Sequence, residues 1–278
     1  MYSSGNKTAE KIDPENRWRR GYGRLQGKRV TMQTKSTPSV IAVGGFFIAL
    51  MAGLAALLSG TGTSYGLWNY RTGISVLRWA AYGGTAAAAL SLVGLIASLR
   101  IVIVRGFLWA FLGIVIGIFI AGLVFHWKQV AESVPRIHDI TTDTKNPPQF
   151  FTLLRFLRSG ENSPVYAGEE VAAQQRKAYP DIVPLILPVS TDQAFEKALA
   201  VARRLGWQII DADKNAGRIE AVATTFWFGF KDDIVIRLKR QNAGCRVDVR
   251  SESRVGVSDL GKNAERIRKF LRAMKEWK

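Results

Sequence analysis

Residues 39–59, SVIAVGGFFIALMAGLAALLS, run without a single charged side chain. Roughly 20 such residues cross the ~30 Å hydrocarbon core of a bilayer, so the stretch predicts a membrane span. A second apolar run extends from Trp79 to Trp127 and is interrupted only by Arg100 and Arg105. As one helix, at ~1.5 Å per residue, it would be about 70 Å long, twice what a bilayer holds. It must therefore fold back, and the break belongs at Arg100–Gly106, which gives spans of about 79–99 and 106–126. A buried helical hairpin inside a soluble core would need polar faces that these segments lack.

Charge placement then predicts orientation. The chain has 39 Lys and Arg against 22 Asp and Glu, a formal charge of +17. Nine of the cations, from Lys7 to Lys35, lie in the tail 1–37 beside three acids. Basic clusters of this kind stay cytoplasmic. Three spans then return the Arg100–Arg105 turn to the same side and put everything after residue 127 outside, the periplasm of a bacterium. Trp68, Tyr70, Trp79, Tyr82 and Trp127 mark the outer boundary as an aromatic belt would. The tail segment RWRRGYGRLQGKR fits a topology signal that also touches anionic lipid. Binding of nucleic acid by arginine and aromatic stacking is the sharper alternative and is not expected, because the remaining charge is spread along the chain and forms no single patch. The partners expected are the lipid bilayer and a lipid or envelope protein. In the third span Gly113, Gly117 and Ala121 recur at four-residue spacing. Such small residues let helices approach closely, within one chain or between two copies.

Beyond the spans, residues 128–189 read as an extended approach to a domain, with Pro135, Pro147 and Pro148 in its first half. Phe150–Leu157 is apolar and is expected to dock on that domain. Ile182, Val183, Leu185, Ile186 and Leu187, bracketed by prolines, suggest an edge strand. From Ser190 the pattern is regular. Ser190 and Gln193 form a capping box. Ala194, Phe195, Ala198, Leu199, Ala202 and Leu205 make the buried stripe of a helix that Gly206 ends. Alternating strands follow over 207–211, 218–228, 234–239 and 245–250. A final helix is expected to start near Asp259 and to bury Leu260, Ala264, Ile267, Leu271 and Met274. The fold class is thus three membrane helices followed by a soluble α+β domain. Its core, 190–278 with the strand before it, has the order β-α-β-β-β-(β)-α, an antiparallel sheet with helices on one face.

The stretch TTFWFGFKDDIVIR, followed by VDVRSESRVGVSDLGKNAERIRKF, carries a resemblance. A strand ending in Arg250, Ser251, Ser253, Arg254 and Gly256, running into Ser258, Asp259, Leu260 and Gly261, resembles the family called domain of unknown function 1499, as does the pair Asp232–Asp233. The resemblance covers roughly residues 135–275. It implies a fold and a set of relatives, and no established activity.

Arg250, Ser251, Ser253, Arg254, Ser258 and Asp259 fall where a strand enters a helix N-terminus, where free N–H groups favour anions and two arginines are able to clamp a phosphate or carboxylate. The structural alternative is that Ser258 or Asp259 caps the helix while Arg250 and Arg254 pair with Asp232, Asp233 or Glu252. Asp232 and Asp233 lie in GFKDD, which reads as a hairpin turn, where Asp is common for backbone reasons. As a carboxylate pair they would suit acid–base work. Phe226, Trp227, Phe228 and Phe230 continue the strand pattern. Half of them should face the core, the rest being covered by residues 135–189, with a lipid groove or the bilayer as the alternative. No cofactor, metal set or catalytic constellation is expected. His126 and His138 are the only histidines, and Cys245 is the only cysteine. His138, Asp139 and Asp143 are the one weak metal candidate. GVSDLG is one residue too long for a hydrolase nucleophile elbow, and there is no phosphate-cradling loop.

Overall fold

A stripe of small residues, Ala42, Gly45, Ala49, Ala52 and Ala56, recurs at alternating steps of three and four and forms the buried seam of helix α1 (Val40–Ser64). The structure, a computed structural model, describes residues 40–99, 105–156 and 160–276; the tail 1–37 and the turn at 100–104 lie outside the described residues. Helices α2 (Tyr70–Leu99) and α3 (Arg105–Ser133) complete a three-helix bundle. All three are long and apolar enough to cross a membrane. Their close approach rests on residues without bulk. A side chain at Gly45 or at Gly113 would collide with Ser91 of α2, and one at Gly117 would collide with the Gly84 carbonyl. Gly113 and Gly117 therefore pack inside this chain.

All three helices outrun their apolar cores. α1 runs five residues past Ser59, α2 begins nine residues before Trp79, and α3 runs on past Trp127, so only 65–69 separate the first two helices. Hydropathy marks only the part of a helix that lies in lipid. The true start of α2 is set by Asn69, whose side chain accepts the Thr72 N–H at 2.9 Å as a cap.

The domain that follows α3 is a six-stranded antiparallel sheet. Its strands are β1 (Asp139–Thr141), β2 (Leu185–Leu187), β3 (Gln208–Asp213), β4 (Arg218–Thr224), β5 (Lys231–Gln241) and β6 (Gly244–Ser253). The order is β1-β6-β5-β4-β3, and β2 shares the outer edge of β6 with β1. Helices α4 (Thr152–Phe156), α5 (Glu169–Ala178), α6 (Thr191–Arg204) and α7 (Lys262–Glu276) complete it. From β2 onward the order is β-α-β-β-β-β-α, as the sequence pattern predicts. The capping box of Ser190 and Gln193 starts α6. Both long helices cover one face, where Ile219, Ala221, Ile234, Ile236, Val247 and Val249 meet Phe195, Val201, Ile267 and Phe270. The opposite face is covered by the approach segment, whose Phe150 and Leu153 bury against Val222 and Val235.

Three expectations are corrected in detail. α7 begins at Lys262 and buries Phe270, while Leu271 is half-buried; Phe270 stacks on Trp207 at 5.3 Å. Residues 226–228 leave the sheet as a turn and are not strand. Asp232 and Asp233 lie within β5 and are not in a turn, because the chain reverses earlier, between Thr225 and Phe230. There Thr225 and Phe230 bond to each other, and Gly229 at φ 66° supplies the left-handed residue.

Candidate functional site

Strand β6 alternates strictly. Cys245, Val247, Val249, Ser251 and Ser253 face α6 and α7, while Arg246, Asp248, Arg250 and Glu252 face the approach segment. The second face of the sheet is therefore a buried layer of charge. Arg250 is fully buried at its centre. Its Nε and Nη2 donate to the two carboxylate oxygens of Asp139 at 2.9 and 2.7 Å. Its remaining donors reach the Pro148 and Pro164 carbonyls at 3.3 and 2.8 Å, and Phe150 lies against its guanidinium at 4.8 Å. Tyr166 covers the other side at 5.6 Å. Burial, helped by the Asp139 charge, pushes the Tyr166 hydroxyl up to about 12. Arg250 thus clamps an internal carboxylate and two loop carbonyls, the bidentate pairing that guanidinium geometry favours.

The other motif residues are equally engaged. Arg254 binds Asp233 through Nε and Nη2 at 2.9 and 2.8 Å. Asp232, one residue along β5, points to the opposite face and meets Arg266 of α7 at 2.5 Å. A two-residue strand period separates these carboxylates by the thickness of the sheet, so they do not form an acid–base pair. Burial raises Asp232 above the ordinary carboxylate range, against the pull of Arg266. Ser251 and Ser253 both bond to the buried side chain of Asn263. The Ser258 hydroxyl accepts the Leu260 N–H. Asp259 accepts the N–H groups of Gly261 at 2.8 Å and Asn263 at 2.7 Å, and so caps α7. Burial raises its pKa, and those two bonds oppose the rise. They also offset the left-handed backbone of Leu260, at φ 54°.

Four participants take roles that the sequence pattern did not assign them. Asp139 and Asp143, weighed there as metal ligands beside His138, instead meet arginine: Asp139 holds Arg250, and Asp143 meets Arg237 and Arg246 at 3.1 and 2.8 Å. Fully buried Glu220 accepts the N–H groups of Phe151, Thr152 and Leu153 at 2.6, 3.2 and 2.8 Å and so starts α4. Asn162 donates to the Ser253 and Gly256 carbonyls, both at 2.8 Å. Nothing local in sequence announces these partners, which lie between 67 and 111 positions away from the groups they hold. Among the described residues, no group of three or more His, Cys, Asp and Glu is arranged to hold a metal ion.

Two further features lie near the sheet end that leads into the 225–230 hairpin. A cleft of about 260 Å³ lies beneath α7, with Leu205, Gly206, Trp207, Ala223 and Thr224 opposite Lys262, Arg266 and Lys269. Glu265, in the same lining, bonds to Lys269 at 2.7 Å and to Lys262 at 2.9 Å, and these two hold its carboxyl down to about 2. The second feature is the aromatic hairpin 225–230 itself. Its expected burial under residues 135–189 is not what the structure has: the hairpin docks on the membrane helices. The Trp227 indole rests on Gly60, where a Cβ would overlap its ring, and Nε1 donates to the Leu57 carbonyl at 3.3 Å. Phe228 stacks on Phe230 at 5.3 Å, and Phe230 meets Tyr70 edge-on at 5.9 Å. Beside them Glu161 accepts from Tyr70 and Arg71 at 2.8 and 3.0 Å.

These features define an α+β domain with a packed charged layer and a basic cleft, joined to three helices long and apolar enough to cross a membrane. Residues 139–274 match the family described as protein of unknown function (DUF1499), and the domain belongs to that family. No curated protein matches the chain.

Proposed function

We propose that this chain is a non-catalytic module of the bacterial cell envelope that holds the phosphate of an anionic lipid headgroup in the cleft beneath α7. The observation that carries this reading is the cleft's place in the fold. Ala223 and Thr224 line it, and Thr225, the next residue, opens the hairpin that docks on α1. The cleft therefore lies at the end of the sheet nearest the membrane helices. Lys262 and Lys269 share the single carboxylate of Glu265, and Arg266 pairs with Asp232, which leaves the cleft one positive charge in excess. Lysine and arginine near an anionic surface attract headgroups in this way, while Trp207 and Leu205 supply an apolar floor. The basic tail, with nine Lys and Arg before the first span, supports a cytoplasmic N-terminus in the plasma membrane and a periplasmic domain. An enzyme working through Arg250, Arg254, Asp259 and Asp232 has less support, because each of the four is engaged by other parts of the chain.

The test is native mass spectrometry of the full chain released from nanodiscs of mixed phosphatidylcholine and phosphatidylglycerol. Phosphatidylglycerol should be retained in preference. The double variant Lys262→Ser, Lys269→Ser should lose that preference while its melting point falls only by the small amount that the exposed Glu265 pairs contribute. Equal retention of both lipids by the wild type would sink the proposal.

A further inference from the structure

We propose that the tip of the 225–230 hairpin is embedded in the bilayer, so that the domain is seated in lipid and not merely hung above it. Four observations converge. Phe226 is wholly exposed at the tip although its neighbours Trp227 and Phe228 are packed. The exposure is built in, because the reversal is closed on both sides: Thr225 N–H donates to the Phe230 carbonyl at 2.8 Å, and Phe230 N–H donates to Thr225 Oγ1 at 2.9 Å. The hairpin's contact on α1 lies among lipid-facing residues. Trp227 reaches the Leu57 carbonyl, and the side chains of Leu57 and Leu58 are themselves exposed.

Depth follows from helix register. A Cβ placed on Gly53 of α1 would lie 3.6 Å from Ile120 of α3, and the two helices run the same way. Seven residues further along each, Gly60 stands level with Trp127. Trp227 lies on Gly60, and Trp68 lies nearby, its Nε1 donating to the Ser59 carbonyl at 3.2 Å. Exposed Trp79 stands close by on α2, where Ala80 packs with Ala56. Tryptophans gather at the membrane–water interface, since the ring is apolar and its N–H finds a partner there. One of the tryptophans in this belt comes from the soluble domain. Charge obeys the same boundary. TFWFGF carries none, and the first charge after it, Lys231, is exposed. A bilayer is the occupant that fits, because the contact continues a surface already lipid-facing.

The inference goes beyond headgroup capture, and the two fail separately: tip insertion should persist in discs of phosphatidylcholine alone, where the cleft has no anionic lipid. The experiment uses the full chain in such discs and in mixed discs with phosphatidylglycerol. Buried Cys245 is replaced (Cys245→Ala), and a nitroxide is attached in turn at Phe226→Cys, at Phe119→Cys on the lipid face of α3, and at Val183→Cys on the exposed domain. Collisions with oxygen and with a water-soluble nickel chelate are read by electron paramagnetic resonance. The label at 226 should lose its chelate collisions relative to 183 and gain oxygen collisions toward those at 119. Chelate access equal to that at 183 would place the tip in water and overturn the proposal. Shielding from both reagents would mean that a second copy or another protein covers the tip, and would overturn it equally. Phe226 makes no packing contact to lose, so its substitution leaves the fold intact.

Discussion

Replacing Arg250 by methionine removes the one cation at the centre of the buried charged face. It leaves the Asp139 carboxylate at 4% exposure, and the Pro148 and Pro164 carbonyls, without their donors. Removing one member of a buried ion pair costs about 3–5 kcal/mol, because the survivor is left as an uncompensated charge. That is a large part of the ~5–15 kcal/mol that holds a typical domain together. At about 2–4 °C per kcal/mol for a chain of this size, the domain's melting point should fall by roughly 6–20 °C. The assay is protease susceptibility of the full detergent-solubilised chain against temperature, with fragments assigned by mass, which separates the domain from the membrane helices. The partner experiment decides the cause. Asp139→Leu combined with Arg250→Met removes both charges, and replacing a buried pair by apolar residues is often close to neutral. The double variant should therefore be more stable than the sum of the single losses, with the two sites strongly coupled. A single-variant shift under about 3 °C, or additive losses in the double, would refute the clamp.

Gly73→Ala puts a Cβ within 2.6 Å of the Ser59 carbonyl, which is backbone and cannot swing aside, so α1 and α2 must part at a cost of about 1–3 kcal/mol; the nearest atoms to a Cβ in Gly60→Ala are those of the Trp227 ring, and this variant should speed hydrogen exchange across 225–230 with little loss of stability. Asn162→Ala deletes two bonds worth about 0.5–1.5 kcal/mol each, and exchange should rise over 160–166 but not in β5. Glu265 has its pKa lowered in the folded state by Lys269 and Lys262, so its stabilisation is present above the unfolded value of 4.5 and is lost as pH falls toward about 2. The melting-point gap between wild type and Glu265→Gln should thus be constant from pH 6 to 8 and close on acidification; because the group is half exposed, the gap should be small, in the ~0–1 kcal/mol range of surface pairs. A gap that widens in acid would contradict the assignment.

Legibility in the sequence followed the range of the forces. The bundle was readable because absence of charge over 39–59, 79–99 and 106–126 admits few alternatives. The capping box at Ser190 and Gln193 was readable because its partners are three residues apart. The β6 alternation exposed two faces, but not that the charged face would be buried, since Arg246, Asp248 and Arg250 look like solvent-facing residues until a covering segment is supplied. That cover comes from 139–166, proline-bearing and without a period, whose place is fixed by contacts across the whole domain. The misplaced turn at Asp232–Asp233 has a local cause. Aromatic residues favour strands, so FWFGF read as strand, whereas Gly229 and the Thr225 hydroxyl in fact close a reversal there.

The motif acquires a mechanical meaning from where its bonds lead. The strand end at Ser253 and Arg254 and the turn at Gly256 offer three carbonyls to Asn162. The preceding residue, Glu161, meets Tyr70 and Arg71 at the start of α2. Arg250 meanwhile grips Pro164 two residues further on. The same strand that holds the approach segment therefore fixes the side chain that touches the membrane bundle. That contact alone is weak, being an exposed ion pair with side chains 71% and 50% accessible. It is one of three attachments, with the chain running from α3 into β1 and the hairpin on α1. Three attachments restrain a domain's orientation relative to the helices, which a tether alone would not. Constant orientation is what the headgroup site proposed above would need, because a headgroup presents its phosphate at one height above the hydrocarbon.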